Sequence, residues 1–234
     1  TKVKALQLDA RDGKRVAQVA EGCDLIVNGL PLEFNLIIMQ AALAVNASYF
    51  DMAGPMEDMG FVESYQLLFS EWHEKFKEKK LTALVGGGSS PGLANVIARE
   101  SVDKLDTCDT ISICVYEGLK TRRFTPFWWS PETAFGDMAA EPITFENGAF
   151  KRVPPFNNPE MIEFRGLGAR RMVDHEHEEP VTFGLFFKGL KRANFKYGGP
   201  ACELAESLFK MGLLGTDPVA VKGLFSVRVV SLSL

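Results

Sequence analysis

Residues 81–98 read LTALVGGGSSPGLANVIA, and this stretch decides the fold class of the first half of the chain. A short apolar run leads into Gly86, Gly87 and Gly88, which tolerate positive φ angles and let another backbone or a ligand approach closely. Pro91 and Gly92 open the following helix. Strand, tight turn and helix N-terminus in this order are typical of the ligand-binding edge of an open α/β sheet. If this stretch is considered alone, a glycine-rich turn that merely reverses the chain explains it slightly better than a ligand site does.

The residues before this stretch repeat the same alternation. Apolar patterns predict strands at residues 3–8, 24–28 and 47–51, and amphipathic or apolar patterns predict helices at about 13–21, 32–45 and 61–80. Strands that alternate with helices at this spacing indicate parallel βαβ units. The predicted fold class is therefore α/β, with a Rossmann-like doubly wound parallel sheet.

The pattern changes near residue 107. Residues 110–116 alternate strictly between apolar and polar, which predicts a half-buried strand with one exposed or dimer-facing side. Further strands are predicted at 161–165, 170–176 and 191–196, with a hairpin turn at 146–148 and a helix at 202–211. The second region is thus predicted to be an α+β domain with a mixed or antiparallel sheet, and the boundary divides the chain into domains 1–106 and 107–234.

The composition excludes several classes of protein. The 234 residues are 46% hydrophobic and 24% charged with a net charge of −4, so a globular core is expected and nucleic acid is not the expected partner. The four cysteines lack CxxC spacing, which argues against a zinc or disulfide framework and fits a reducing cytoplasm. The longest apolar runs are too short to cross a membrane.

The turns that follow the predicted strands suggest a nucleotide site. In a parallel sheet, the turn at 28–31 and the glycine turn at 86–92 lie at one edge, and Asp9 and Asp51 end the neighbouring strands. The alternative is that short βα turns need Gly, Pro, Asn and Asp whatever the sheet binds. The glycine cluster does not match the G-x-G-x-x-G fingerprint. The first βαβ unit, on the order of 30 residues, is therefore expected before Thr1.

Several short motifs together resemble a known family. In chain order they are Gln7-Leu-Asp9-Ala-Arg11-Asp12, Asn28-Gly-Leu-Pro31, Tyr49-Phe-Asp51, Gly86-Gly-Gly88 with Pro91-Gly92, Ser130-Pro-Glu132, and Gly212-Leu-Leu before Pro218-Val219. In order and spacing, they resemble saccharopine dehydrogenase and its relatives, which include the saccharopine reductases, the lysine 6-dehydrogenases and the carboxynorspermidine dehydrogenases.

The resemblance implies a function and a set of cofactor-binding residues. It implies that domain 1–106 is a partial NAD(P)-binding Rossmann domain and that domain 107–234 binds substrate and mediates dimerisation. The reaction would be hydride transfer between NAD or NADP and a C–N bond of an amino acid or polyamine precursor. By position, Asp9 and Arg11 match the adenine-side turn. The family's loop beside the nicotinamide ribose corresponds here to Asn28, Gly29, Leu30 and Pro31. The turn that faces nicotinamide and substrate corresponds to Gly88, Pro91 and Gly92.

Candidates for substrate binding lie in the second region. Arg170 and Arg171 are suited to a carboxylate, but neighbours on a strand point to opposite faces, so only one can serve. A solvated surface charge is the simpler explanation for any single arginine. Trp129 and Glu132 are further candidates, and the aromatic patch around Trp129 fits either a substrate pocket or the seam of a dimer.

The run Asp174-His175-Glu176-His177-Glu178 carries the candidates for proton transfer. On a strand, His175 and His177 share a face, and an imidazole is a general base near neutral pH. A metal would need a third ligand, and the remaining histidine lies on a wet helix, so no metal is predicted. A solvated strand end is the favoured interpretation of the run. Lys196 or Tyr197 is a further candidate acid, although a strand that ends in a glycine turn explains this stretch equally well.

Three functional hypotheses follow from these features. The first is a cytoplasmic, homodimeric, NAD(P)-dependent oxidoreductase of the saccharopine dehydrogenase type that acts on a small amino-acid-like substrate. The second is a non-catalytic paralogue or assembly module that keeps the fold and the dimer surface. The third is a metal-dependent hydrolase built on residues 174–178.

Overall fold

A computed structural model describes residues 3–54, 59–119, 122 and 130–214, except for the side chains of residues 131 and 132. The chain divides into two compact units, Thr1–Thr107 and Cys108–Leu234. The predictions for Trp129 and its aromatic neighbours lie outside the described residues.

The first unit contains a three-stranded parallel sheet with strand order β1-β2-β3. The strands are β1 (Leu25–Asn28), β2 (Ser48–Asp51) and β3 (Ala83–Leu84). The helices are α1 (Gly13–Val19), α2 (Asn35–Ala44, after a 3-10 turn at Leu32–Phe34), a long helix in three sections, α3 (Phe61–Leu67), a π-helical turn (Leu68–Trp72) and α4 (His73–Glu78), and finally α5 (Leu93–Val102). The predicted parallel α/β fold class is confirmed.

Local sequence explains the bounds of these elements. The side chain of Asp12 accepts a hydrogen bond from the backbone N–H of Arg15 and so caps α1. The long helix buries Tyr65, Leu68, Trp72 and Phe76. Since this spacing of three or four residues places them on one face, the helix has an apolar stripe that packs inward and a charged face that stays in water.

One predicted strand is absent. Residues 3–9 form no strand, and Val3 is 94% exposed. A strand needs a neighbour that pairs with its backbone groups, and no strand in the described part of the chain pairs with this segment. Alternation of apolar and polar residues was therefore insufficient, and the prediction that a strand ends at Asp9 was wrong.

The second unit contains a six-stranded mixed sheet, as predicted. The strands are β4 (Thr110–Tyr116), β5 (Ile143–Glu146), β6 (Ala149–Arg152), β7 (Glu160–Phe164), β8 (Gly168–Asp174) and β9 (Arg192–Gly198), and the helices are α6 (Pro131–Ala139), α7 (Glu179–Phe186) and α8 (Pro200–Lys210). β9 pairs with β4 in parallel along its whole length and with β5 and β8 in antiparallel orientation. It is the central strand of the sheet.

The two faces of this sheet differ in chemistry. On one face, Val173, Phe195 and Tyr197 form a core with residues of α6 and α8, and α7 lies against β5 and β9. On the other face β9 presents Asn194 and Lys196, because successive side chains on a strand alternate. We call this second side, which also carries Thr144 and Asp174, the polar face. No helix of the described residues meets the length and hydropathy needed to cross a bilayer.

Candidate functional site

The ends of the parallel strands bring three predicted site segments together. Asn28 ends β1 and Asp51 ends β2, and the two are direct partners in the register of the sheet. The backbone N–H of Gly87, in the turn after β3, donates to the carbonyl of Asp51 at 2.9 Å. The turns after all three strands therefore lie at one edge, where ligands of open α/β sheets bind.

Asp51 connects two of these turns. It is buried, and its Oδ1 accepts hydrogen bonds from the backbone N–H groups of Gly54, at 2.8 Å, and Gly86, at 2.7 Å. Burial raises the pKa of the carboxyl group, while the hydrogen bond from Gly86 opposes this shift. Asp51 thus joins the turn after β2 to the glycine turn after β3.

Asn28 organises the turn at the end of β1. Its Nδ2 donates to Oδ1 of Asn35 at 2.7 Å and to the hydroxyl oxygen of Tyr49 at 3.1 Å, and its Oδ1 accepts from the N–H of Leu30 at 3.1 Å. The side chain is buried by these contacts. We conclude that Asn28 holds Gly29, Leu30 and Pro31 in place, and that the atoms open to a ligand belong to those three residues.

Close backbone packing explains the glycines of the turn at 86–92. A Cβ atom at Gly88 would lie 2.7 Å from the carbonyl oxygen of Met52, and one at Gly92 would lie 2.3 Å from that of Gly88. Gly92 also has a φ of 121°, which side-chain-bearing residues rarely adopt. These contacts support a structural reason for the glycines, and the predicted contact of Gly88, Pro91 and Gly92 with a ligand stays a prediction.

Asp9 and Arg11 bond to each other in the segment before α1. The guanidinium of Arg11 donates to both oxygens of Asp9 at 3.0 Å, and the hydrogen bonds from Arg11 lower the pKa of the carboxyl group. Both side chains are exposed. Their predicted role on the adenine side of a nucleotide stays a prediction.

In the second unit, the two neighbouring arginines lie in different surroundings. Arg171 forms an ion pair with Glu206 of α8, at 2.8 Å. The guanidinium of Arg170 lies 5.3 Å from the ring centre of Tyr116, at a distance typical of a cation–π contact. Glu132 lies in the first turn of α6. Substrate binding by Arg170, Arg171 and Glu132 stays a prediction.

The histidines of residues 174–178 lie inside the second unit. The ring of His177 stacks on Phe195 at 4.0 Å between centroids, and that of His175 lies edge-on to Tyr197 at 5.0 Å. Both therefore face the helix-covered side of the sheet. The acidic residues of this run are also buried, so the interpretation as a solvated strand end was wrong. The sequence did not indicate that α7 begins at Glu179 and folds over this segment.

Carboxylates surround His177. Its Nδ1 contacts Glu179, and Glu178 lies 3.3 Å away. Burial disfavours a charged ring, but hydrogen bonding to Glu179 and the charges of Glu178 and Asp137 outweigh it and raise the pKa of His177 to about 9. Burial and the charge on His177 lower the pKa of His175 to about 3. Near neutral pH, His177 is charged and His175 is neutral.

These charge states bear on two of the predicted roles. Three donor atoms of His177, Glu178 and Glu179 lie within 4.8 Å of one another, a geometry that could hold a metal ion. The Nδ1 of the half-buried His177 already contacts the buried carboxylate of Glu179, which accounts for the cluster without an ion. Proton transfer by His175 or His177 stays a prediction, as does the lack of a metal.

Lys196 lies on the polar face and is only 2% exposed. Its Nζ donates to the carbonyl of Asn158 at 2.8 Å and lies 3.2 Å from Oδ1 of Asp174. The carboxylate of Glu160 is a third neighbour, at 3.6 Å. The lysine is thus fixed by an ion pair, and its predicted role as an acid stays a prediction.

Comparisons with known proteins agree with the motifs. No protein-family model matches the chain. The chain is 28% identical to the carboxynorspermidine synthase of Vibrio alginolyticus over 206 residues, which are 85% of this chain and 49% of that protein. The chain thus spans about half the length of this relative.

Two solved structures share the fold. Saccharopine dehydrogenase (L-Glu forming) from Saccharomyces cerevisiae superposes with a TM-score of 0.66 at 14% identity, over 93% of this chain and 51% of that one. Homospermidine synthase from Legionella pneumophila, solved in complex with NAD, has a TM-score of 0.61 at 15% identity, over 89% and 57%. The resemblance to saccharopine dehydrogenase-like proteins is thereby confirmed.

Proposed function

We propose that this chain, which resembles the saccharopine dehydrogenase-like family in sequence and in fold, is part of an NAD(P)-dependent oxidoreductase. The proposed reaction is hydride transfer at a C–N bond of a carboxylated polyamine or a related amino acid. The observation that carries the proposal is the similarity to carboxynorspermidine synthase over 85% of this chain. Carboxynorspermidine, which that relative's name gives, is the first compound to test as a substrate.

The edge of the parallel sheet fits one part of a dinucleotide. Leu30 and Met52, which follow β1 and β2, are 45% and 47% exposed. Together with Gly29 they offer an apolar surface for a flat ring, while Asn28 and Asp51 fix the backbone beneath it. When bound, the cofactor would accept or supply the hydride. The task of these residues would be to orient its ring and exclude water.

Binding of the cofactor is tested on the complete protein. Titration with NADH and with NADPH, followed by nicotinamide fluorescence, should show saturable binding of at least one of them. Leu30→Asp should weaken that binding at least tenfold, because it places a charge where the ring would lie. Leu25→Asp, at the exposed amino end of β1, is the matched control and should bind the cofactor as the unchanged protein does.

Turnover decides between this proposal and its alternative. Carboxynorspermidine and NAD⁺ or NADP⁺ should yield reduced nicotinamide, detected by its absorbance. Binding without turnover of this or related amines would favour the non-catalytic paralogue, and a lack of binding to either cofactor would favour the assembly module. The homodimer, the cytoplasmic location and the choice between NAD and NADP stay predictions from the sequence.

A further inference from the structure

A cavity of about 330 Å³ opens on the polar face of the second unit. Its polar lining comes from β5, β8 and β9 and from the segment before β7, and it includes Thr144, Glu146, Asn157, Asp174, Arg192 and Asn194. Cavities of about 300 to 1,000 Å³ commonly bind small molecules. All of these residues belong to the second unit, so the cavity is a feature of that unit itself.

The inner end of the cavity presents a carboxylate. Asp174 is 5% exposed, and its Oδ1 accepts from Nδ2 of Asn194 at 3.0 Å and lies 3.2 Å from Nζ of Lys196. Both contacts use the same oxygen. Within the part of the chain that the structure describes, no hydrogen bond reaches Oδ2 of Asp174. This oxygen can therefore accept a hydrogen bond from an ammonium group in the cavity.

The outer end of the cavity presents a guanidinium. Arg192 is exposed, and its backbone N–H donates to the carbonyl of Asp109. Its partner across the sheet is Glu146, whose carboxylate accepts from Nζ of Lys151 at 2.8 Å. Among the described residues, the guanidinium of Arg192 forms no hydrogen bond or ion pair. A planar guanidinium binds a carboxylate through two parallel hydrogen bonds, so Arg192 is suited to that group.

The spacing of the two ends sets the shape of the ligand. Arg192 and Lys196 lie four residues apart on β9, which at about 3.3 Å per residue is roughly 13 Å. Both point to the polar face, because their separation is an even number of residues. A ligand that reaches both ends must be elongated, with a carboxylate at one end and an amine towards the other.

We infer that this cavity binds an elongated carboxylated amine, with its carboxylate at Arg192 and an ammonium group at Oδ2 of Asp174. The inference rests on the proposed function and identifies the part of the second unit that holds the substrate. Lys196 and Asn194 are positioning residues in this site, since they hold Oδ1 of Asp174 and leave Oδ2 to the ligand.

Two amines that differ in the carboxylate test the inference. The complete protein, saturated with the reduced cofactor that it binds, is titrated by calorimetry with carboxynorspermidine and with norspermidine. Arg192→Ala should weaken binding of carboxynorspermidine about 10- to 100-fold, the effect of losing a hydrogen-bonded charge pair. It should leave binding of norspermidine, which lacks the carboxylate, nearly unchanged.

Lys191→Ala is the matched control. Lys191 precedes Arg192, is exposed, and pairs with Asp109 at 2.7 Å. Its replacement by alanine also removes one positive charge from this part of the chain, but Lys191 does not line the cavity. This variant should bind both amines as the unchanged protein does. The inference is wrong if Arg192→Ala binds carboxynorspermidine normally, if it loses both amines equally, or if the unchanged protein binds no carboxynorspermidine.

Failure of the proposed function would have a different signature. It would appear as a lack of NADH and NADPH binding before any amine is added. In that case the same two amines, titrated without cofactor, still test the cavity, because the effect of Arg192 depends on the carboxylate and not on the nicotinamide.

Discussion

The two units place polar groups in their interiors in opposite ways. At the strand ends of the first unit, Asn28 and Asp51 bind mainly to backbone N–H groups and neutral side chains. In the second unit, the buried Lys196 and the half-buried His177 pair with buried carboxylates. A buried hydrogen bond to the backbone fixes a turn, whereas a buried ion pair is strong only while both partners are charged. We therefore expect the stability of the first unit to depend on close backbone packing in its turns, and the stability of the second unit to depend on pH.

The largest expected effect tests whether the stability of the first unit depends on close backbone packing. Gly92→Ala would place Cβ 2.3 Å from the carbonyl oxygen of Gly88 and 2.7 Å from that of Gly86, at a φ of 121°. Because backbone atoms cannot move aside cheaply, we expect a loss of about 4 kcal/mol or more in the free energy of unfolding. Thermal or denaturant unfolding of the complete protein measures it.

Gly136→Ala is the control for that substitution. Gly136 lies inside α6, and a Cβ atom there would meet nothing within 4 Å. Alanine in a helix interior is favoured over glycine, so this variant should gain about 0.5 to 1 kcal/mol. Equal effects of the two substitutions would contradict the role of close backbone contacts in the turn at 86–92.

The second prediction removes the carboxylate that joins the turns. Asp51→Ala would leave the buried N–H groups of Gly54 and Gly86 without their acceptor, at a cost of about 2 to 4 kcal/mol. Amide hydrogen exchange should quicken at both glycines. Asp51→Asn keeps an acceptor oxygen at the same place and should cost less than half as much. If the two variants were equally unstable, the charge and not the hydrogen bonds would be what matters.

The third and smallest prediction concerns pH and the second unit. The pKa of His177 is raised from 6.5 to about 9, so the folded protein binds more protons than the unfolded chain between these values. Its stabilising contribution is complete below pH 6.5 and is lost as the pH rises through 9. Burial raises the pKa of Glu178 to about 7, which acts in the same direction at lower pH. We expect the loss to be on the order of 1 to 3 kcal/mol.

Two measurements check this prediction. The ring of His177, followed by nuclear magnetic resonance, should titrate near pH 9. The denaturant concentration at the midpoint of unfolding should decrease as the pH is raised from 6.5 to 9. His73→Gln removes an exposed histidine of the first unit and should leave this profile unchanged, whereas His177→Gln should flatten it. Titration of His177 near its ordinary pKa would contradict the ion pair with Glu179.

Local patterns predicted much of both units. The hairpin at Asn147 and Gly148 lies between β5 and β6, as the turn residues indicated. β4 spans the seven alternating residues that were predicted. These elements depend on neighbours in the chain, so short patterns suffice for them. The strand predicted at residues 3–8 is absent because a strand also needs a partner. The start of α7 was not predicted because it directly follows the acidic run at residues 174–178.

The sequence by itself predicted the alternation of helices and strands in the first unit from α1 onwards, the parallel sheet of that unit, and Asn28 and Asp51 as the residues that end two of its strands. Only the tertiary structure showed that Asp51 connects two turns, that His175, Glu176, Glu178 and Glu179 are buried, and that Arg192 and Asp174 line one cavity. The physical reason is the distance along the chain over which the interactions act. Backbone propensities and turns act between neighbouring residues, whereas the burial of a charge is decided by partners far along the chain. Lys196 and Asp174 are separated by α7 and meet only because β8 and β9 pair.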